Sequence, residues 1–252
     1  MKANHRPANL ATRPYDNVSF AGCGALNFYQ TGVGFGIQQS GLDRHFRYCG
    51  ASAGAGLAFT MAAGLDAREV CTIMASWICG FGPGRVLRPA WAFTIANRFG
   101  EHFATRQNFR NAEGRLGISV TQQRPLRNHV IESFKNVQDL KSALIASCFI
   151  PYPGQLSVDF RARRSMDGGF TNNQPKLSGK TLNVSPFWFD VRAHVRPDSG
   201  VPISQALRVP TEPECWSLFN RGFTDYRHWM NREEASHPLA RLRRVSKPRR
   251  AA

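Results

Sequence analysis

The chain has 252 residues, 42% of them hydrophobic, which is enough for one α/β domain with a buried core and too many for a wholly disordered protein. Its 33 Lys and Arg residues against 17 Asp and Glu give a net charge of +16, which favours polyanionic partners, either nucleic acid or an anionic membrane surface. No apolar run reaches the roughly 20 residues of a membrane-spanning helix, since the longest, residues 51–65, is short and rich in Ala and Gly.

Cysteine usage and the N-terminus indicate the compartment. The six cysteines form neither CxxC pairs nor a regular disulfide framework, and with the seven histidines they give no zinc-like spacing. We therefore expect reduced thiols, no metal and no cofactor in an intracellular protein, either cytoplasmic or peripheral to a membrane. The polar N-terminal residues lack the apolar region of a secretory signal, and the sequence identifies no protein partner.

Strands and helices alternate along most of the chain. Short apolar runs that end in glycine-rich turns indicate buried strands, and helical apolar spacing, with Asp66 as an N-cap, indicates helices. In the first hundred residues we predict a strand from residue 17, a helix over 27–39, a strand over 45–50, helices over 53–64 and 66–78, and a loop and an aromatic helix within 80–100. Further along the chain we predict neighbouring strands over 114–122 and 127–134, a helix over 137–149, a strand and turn within 163–175, and a last strand over 180–187. This order predicts an α/β protein with a three-layer α/β/α sandwich.

The stretch YCGASAGAG, residues 48–56, places a serine between two glycines at the junction of a predicted strand and a predicted helix. Ser52 lies between Gly50 and Gly54 in a G-x-S-x-G pattern, which allows a sharp, strained turn to present the hydroxyl at a helix N-terminus. The same letters are also typical of an ordinary small-residue helix. Taken alone, the pattern leaves both interpretations open.

A histidine base for Ser52 is not apparent in the sequence. Only one strand and one helix precede Ser52, whereas several strands precede the nucleophile of an α/β-hydrolase. The later histidines all lie outside glycine-marked turns; they are His102, His129, His194, His228 and His237. A Ser-His-Asp triad is therefore disfavoured.

Two other glycine turns are candidates for the remaining chemistry. Asp167 precedes Gly168 and Gly169 at a predicted strand end, where a carboxylate can meet a serine, although such a sequence is most often only a turn. Gly22 and Gly24 follow the first strand, where successive N–H groups can bind an oxyanion. A nucleotide-binding interpretation of this turn fails, because no acidic residue follows at the usual interval.

In this order, the three motifs resemble those of the patatin-like phospholipase family: a glycine-rich oxyanion turn, then GxSxG, then DG[GA]. The similarity covers roughly residues 17–230 and is greatest to the adipose triglyceride lipase branch. It is carried by the blocks SFAGCGALNFYQTGV, YCGASAGA, GRLGISVT, ASCFIPYPG, SMDGGFTNNQP, NVSPF and EPECWSLFNRGFTDYRHWM. The resemblance implies a three-layer α/β/α sandwich of patatin type with a mostly parallel central sheet.

The resemblance also implies roles for individual residues. Ser52 is the expected nucleophile and Asp167 its expected proton acceptor, which takes the Ser52 proton as an acyl-enzyme forms and then activates water. The other motif residues are the oxyanion-hole amides of Gly22, Cys23, Gly24 and Ala53 and the glycines Gly50, Gly54, Gly168 and Gly169. The implied activity is hydrolysis of the carboxylic ester bonds of phospholipids or acylglycerols, with an anionic membrane or lipid surface as partner.

One residue departs from the family pattern and leaves an alternative open. Asn27 stands where the family motif G-x-G-x-x-G has its last glycine, so the alternative is a catalytically impaired lipid-binding relative. Because Asn tolerates left-handed backbone angles better than most residues, we expect the turn to survive. Nucleic-acid binding is supported by charge alone, without a recognised motif or aromatic residues interleaved with the basic tail, and we expect none.

The expected organisation is a polar leader over residues 1–15, a catalytic domain over 16–180, a C-terminal extension over 181–231 packing on it, and a basic, disordered tail over 232–252. The long hydrophobic lipid-droplet region of larger relatives is not seen after the catalytic domain, so lipid-droplet targeting is not carried over. The segment 77–99 is rich in aromatic residues that either line an acyl pocket, dip into a membrane or pack in the core; they are Trp77, Phe81, Trp91, Phe93 and Phe99.

Overall fold

The computed structural model describes residues 15–86 and 88–236, so residues 1–14 of the expected leader and 237–252 of the expected tail lie outside the described residues. Within the described residues, seven strands form one sheet: β1 (Asn17–Phe20), β2 (Arg47–Ala51), β3 (Leu116–Gln123), β4 (Leu126–Ile131), β5 (Val158–Phe160), β6 (Arg163–Asp167) and β7 (Thr181–Val184). The helices described there are α1 (Asn27–Gln39), α2 (Ala53–Ala63), α3 (Ala67–Cys79), α4 (Pro89–Phe103), α5 (Arg106–Ala112), α6 (Val137–Ser147) and α7 (Glu212–Ser236).

Four parallel strands form the centre of the sheet, in the order β3-β2-β1-β7. The strands β4, β5 and β6 are antiparallel to their partners. Helix α2 packs on β1, β2 and β3, and α6 packs on β3, β5 and β6. The predicted α/β fold, a three-layer sandwich with a mostly parallel central sheet, is confirmed. Asp66 caps α3 as predicted, since its carboxylate accepts the Glu69 N–H at 2.8 Å.

Strand β3 aligns the ends of two other strands. β4 pairs with residues 118–123 of β3 along one edge. On the opposite edge, the last residue of β2, Ala51, pairs with Ser119, and the last residue of β6, Asp167, pairs with the next residue, Val120. β2 and β6 therefore approach each other end to end, and this brings Ser52, the residue after β2, next to Asp167.

Three elements were not predicted from the sequence, namely α5, β5 and α7. The largest is α7, whose buried residues Cys215, Phe219, Tyr226 and Trp229 recur at helical spacing and pack towards α1. α7 continues to Ser236, so the first residues of the predicted disordered tail, 232–236, are helical instead.

The expected boundary at residue 180 falls directly before β7, which pairs with β1 inside the central sheet. The segment 181–231 therefore contributes both a strand of the sheet and most of a packed helix. No helix among the described residues is both long and apolar enough to cross a bilayer.

Candidate active site

Ser52 lies on a strained turn between β2 and α2. Its backbone angles are φ +53° and ψ −130°, a region that a non-glycine residue occupies only when the surrounding structure holds it there. Gly54 allows this turn to pack closely on β1, because a Cβ at residue 54 would lie 2.5 Å from the Phe20 carbonyl oxygen. The strained turn that the sequence predicted is present, and α2 begins at the next residue.

A buried serine that the sequence analysis missed holds this turn. The Ser52 N–H donates to Ser147 Oγ at 2.9 Å, and the Ser147 hydroxyl donates in turn to the Ser119 carbonyl at 2.7 Å. Ser147 is fully buried at the end of α6. It therefore links the Ser52 turn to β3, the strand that also positions Asp167.

Asp167 is buried at the end of β6, and its backbone and side chain are both held. Its carbonyl accepts the Thr121 hydroxyl at 2.8 Å, and its Oδ1 accepts the Gly169 N–H at 2.7 Å. Gly168 is needed for close approach, because a Cβ there would lie 2.1 Å from the Ser119 carbonyl oxygen. Ser52 and Asp167 line the same cavity, and Ser52 lowers the pKa of the Asp167 carboxyl.

Burial dominates the electrostatics of Asp167. Desolvation raises the pKa of its carboxyl from the ordinary value of 3.8 to about 6, although nearby Ser52 and the Gly169 N–H lower it. At neutral pH the carboxylate is therefore charged yet a stronger base than an exposed aspartate. A carboxylate in this state suits proton abstraction from a neighbouring hydroxyl.

The glycine turn at 22–24 lies on the same cavity as Ser52. The Gly22 N–H is already engaged, because it donates to the Asn173 carbonyl at 3.2 Å. Within the described residues, the N–H groups of Cys23, Gly24 and Ala53 have no acceptor. We therefore retain these three amides, and not that of Gly22, as candidates for binding an oxyanion.

Gln30 is a second buried residue that the sequence analysis missed. Its side-chain amide pairs with both backbone groups of Ala21, accepting the N–H at 2.9 Å and donating to the carbonyl at 2.8 Å. The same NH₂ lies 3.0 Å from Cys23 Sγ and 3.1 Å from Asn27 Oδ1. Burial raises the pKa of the Cys23 thiol, so this side chain stays protonated and serves packing.

The turn at Asn27 does not use the left-handed backbone angles that asparagine tolerates. Asn27 is the first residue of α1, with φ −60° and ψ −21°, right-handed helical angles that need no glycine. The glycine of the family pattern is thus not needed here for backbone freedom. The Asn27 side chain faces the cavity while its Oδ1 accepts from Gln30.

Ser52 and Asp167 open into a cavity of about 460 Å³. Its walls are mainly apolar and come largely from α1, α2, α3, α4 and α6; they include Val70, Met74, Ile95, Phe99, Leu144 and, in the loop after α6, Ile150. No histidine of the described part of the chain lines this cavity. Nor do the described residues contain a group of three or more His, Cys, Asp or Glu side chains placed to hold a metal ion.

Most of the aromatic segment 77–99 is packed against other rings. Trp77 contacts Phe103 at a centroid distance of 6.0 Å, and Phe81 stacks on Trp91 at 5.0 Å. Of the aromatic residues singled out in this segment, only Phe99 lines the cavity. Phe99 therefore lines the cavity beside Ser52, whereas Trp77, Phe81 and Trp91 pack against other rings.

A serine on a strained strand-to-helix turn of an α/β sheet is the geometry that proteins of the nucleophile-elbow class share. The chain is 29% identical to human patatin-like phospholipase domain-containing protein 4 over 83% of this chain and 94% of that protein. It is 31% identical to mouse 1-acylglycerol-3-phosphate O-acyltransferase Pnpla3 over 68% of this chain and 44% of that protein. It is 28% identical to mouse omega-hydroxyceramide transacylase over 63% and 28% of the respective lengths.

The chain belongs to the patatin-like phospholipase family, as its motifs predicted. It spans nearly the whole of the first of these relatives and less than half the length of the other two. No protein-family model matches the chain. Among solved structures, it is similar to VipD from Legionella pneumophila, with a TM-score of 0.44 and 13% identity over 69% of this chain and 50% of that one.

Proposed function

We propose that this protein is a lipid acyl hydrolase that cleaves carboxylic ester bonds of phospholipids or acylglycerols through an acyl-enzyme on Ser52. One observation carries the proposal: Ser52, on its strained turn, and the buried carboxylate of Asp167 line the same apolar cavity. Family membership supports it, since the relatives are named as phospholipases and acyltransferases. An apolar cavity next to a nucleophile suits an ester with a long acyl chain.

In the proposed mechanism, Asp167 takes the Ser52 proton as Oγ attacks the ester carbonyl carbon. The amides of Cys23, Gly24 and Ala53 donate to the oxygen that becomes negative. The C–O bond to the alcohol then breaks, and the alcohol leaves with the proton held by Asp167. Water attacks the acyl-enzyme in the reverse sense: Asp167 accepts a proton from water and returns it to Ser52 as the fatty acid is released.

The test is a hydrolysis panel with a short p-nitrophenyl ester, a diacyl phospholipid and a triacylglycerol, run beside labelling with a fluorophosphonate. We expect ester hydrolysis in at least one lipid class and a covalent adduct that mass spectrometry assigns to Ser52. Absence of hydrolysis from every member of the panel, together with absence of the adduct in folded protein, would refute the proposal.

Transfer of the acyl group to a lipid alcohol is a second candidate. It is favoured by the names of two relatives, an acyltransferase that acts on 1-acylglycerol-3-phosphate and a transacylase. The acylation step is the same, and only the second acceptor differs, because an alcohol takes the place of water. Adding 1-acylglycerol-3-phosphate to the panel separates the two: a diacyl product in place of free fatty acid indicates transfer.

The alternative of an impaired, lipid-binding protein is tested by Asn27→Gly, with Asn27→Ala as matched control. Because Asn27 has helical backbone angles and Gln30 holds the turn through Ala21, we expect ester hydrolysis to change by less than about tenfold in both variants. The free energy of unfolding, measured with urea, should be about 1 kcal/mol lower for Asn27→Gly than for Asn27→Ala, since glycine is a poor helix residue. A much larger gain in activity on restoring glycine would instead favour the impaired alternative.

A further inference from the structure

Large apolar side chains stand exposed at the mouth of the cavity. Phe170, Ile203 and Leu207 line the cavity, yet they are 58%, 54% and 55% exposed. Phe170 follows the Asp167 turn directly, and the other two lie in the 3₁₀ helix Ile203–Leu207. Side chains that contribute to both the cavity and the outer surface mark the route by which a ligand enters.

The loop after β7 extends this apolar surface outward. Phe187 lines the cavity and stacks on Phe189 at a centroid distance of 5.5 Å, and Trp188 contacts Phe189 edge-on at 5.8 Å. Trp188 and Phe189 are nearly half exposed, and Val191 is 82% exposed. We call the following side chains the apolar rim: Phe170, Trp188, Phe189, Val191, Ile203 and Leu207. Exposed apolar groups concentrated around one opening are typical of an interaction site.

Basic residues flank the rim. Arg192 follows Val191 and is exposed, and its Nε lies 3.6 Å from Asp190 Oδ1. Arg85 is also exposed, and its backbone carbonyl accepts the Val209 N–H at 2.8 Å. This bond holds Arg85 near the rim, because Val209 follows the rim residue Leu207 by two positions. Exposed Arg88 precedes the cavity-lining Ala92 by one turn of α4.

Acidic residues are fewer in the same segments. Residues 81–92 and 186–209 hold five arginines, at positions 85, 88, 192, 196 and 208, against two aspartates, at positions 190 and 198. Arg192 is paired with Asp190 and Arg208 with Glu214. The remaining Arg85, Arg88 and Arg196 against Asp198 leave these segments with a positive charge.

We propose that the apolar rim docks on an anionic lipid bilayer, so that the mouth of the cavity faces the lipid. Apolar side chains at the headgroup boundary and flanking arginines are the two contributions that bind a peripheral protein to such a surface. The inference rests on the proposed function in one respect, because a cavity that accepts a lipid ester needs an opening towards the membrane. This surface fits a bilayer better than it fits nucleic acid, because the centre of the protein surface is apolar and only its edge is basic.

The experiment measures sedimentation with vesicles of phosphatidylcholine, with and without phosphatidylserine. It uses the full chain carrying Ser52→Ala, so that no lipid is consumed. The rim variant is Trp188→Ser with Phe189→Ser, and the matched control is Leu126→Ser with Leu156→Ser, two leucines that are 62% and 63% exposed and lie off the cavity. We expect the rim variant to partition at least about tenfold more weakly and the control to bind like the parent. Binding of the parent rises with phosphatidylserine and falls with added salt.

A second measurement needs no disruptive substitution. Phospholipids brominated on the acyl chain should quench the tryptophan fluorescence of the parent, and Trp188→Phe should remove most of that quenching while keeping an aromatic ring. Equal partitioning of rim and control variants overturns the inference, as does quenching that Trp188→Phe leaves unchanged or binding of duplex DNA in preference to vesicles.

Hydrolysis of a soluble short ester separates this inference from the proposed function. With Ser52 restored, the rim variant should hydrolyse that ester at the parental rate. Vesicle binding without hydrolysis refutes only the proposed activity. Hydrolysis without rim-dependent binding refutes only the docking surface.

Discussion

Replacing Ser52 with Ala is expected to lower kcat/KM for a soluble ester by about 10⁵-fold or more, because the variant has no oxygen with which to form the acyl-enzyme. The fold should be retained, since the turn is held by the Ser52 N–H, which still reaches Ser147 Oγ, and not by the side chain of residue 52. The measurement is steady-state hydrolysis of a p-nitrophenyl ester at matched protein concentration, with far-ultraviolet circular dichroism as the check on folding.

Ser52→Gly is the matched comparison, because it removes the same hydroxyl and also the backbone strain. The angles φ +53° and ψ −130° are the mirror image of an ordinary extended conformation, and glycine adopts them without a Cβ clash. We expect Ser52→Gly to be as inactive as Ser52→Ala but more stable by about 1 kcal/mol in urea unfolding. Wild-type activity in folded Ser52→Ala protein would show that another residue is the nucleophile.

The strands and helices that carry the site were predictable because burial and turn chemistry agree there. β1 and β2 are short buried runs that end in glycine turns, and α3 begins at an aspartate N-cap. The proximity of Ser52 and Asp167 followed from the family motifs. Its physical cause is a register of β3, in which Ser119 and Val120 pair with the ends of two different strands. Register of this kind is a long-range property that local sequence patterns do not contain.

The polar supports of the site could not be predicted for the same reason. Gln30 and Ser147 are polar residues within helices, where local patterns place them on a solvated face. Both are fully buried. Burial is possible because each has a hydrogen-bond partner outside its own helix: Ala21 for Gln30, and the Ser52 N–H for Ser147. Helix α7 is different: its apolar spacing was visible in the sequence, and its residues were assigned to an extension without a helix being recognised.

Asp167→Asn is expected to remove most of the activity and, unusually for a buried substitution, to stabilise the fold at neutral pH. Loss of the base should lower kcat/KM by about 10²- to 10⁴-fold, the range typical of general-base catalysis. Asn keeps an oxygen that can accept the Gly169 N–H, so the local turn should survive. In the wild-type protein, activity should rise with pH through about 6, the pKa to which burial raises the Asp167 carboxyl, since only the carboxylate accepts the Ser52 proton.

The effect on stability follows from the direction of the same pKa shift. Because the pKa of Asp167 rises from 3.8 to about 6 on folding, the folded state favours the neutral acid, and its charge destabilises the fold. This cost is absent below pH 3.8, grows between pH 3.8 and about 6, and is constant above, at about 3 kcal/mol. Asp167→Asn carries no charge, so the amount by which it is more stable than wild type should be about 2.5 kcal/mol larger at pH 8 than at pH 4.

Asp159→Asn is the control, because the Asp159 side chain is largely exposed beside Arg164 on the neighbouring strand β6. It should leave both activity and the pH dependence of stability close to those of wild type. A stability difference for Asp167→Asn that does not vary with pH would mean that Asp167 is not held as a desolvated base. The combination of lost activity and gained stability is what a carboxylate kept for chemistry requires, since a residue kept for folding would destabilise the protein when its charge is removed.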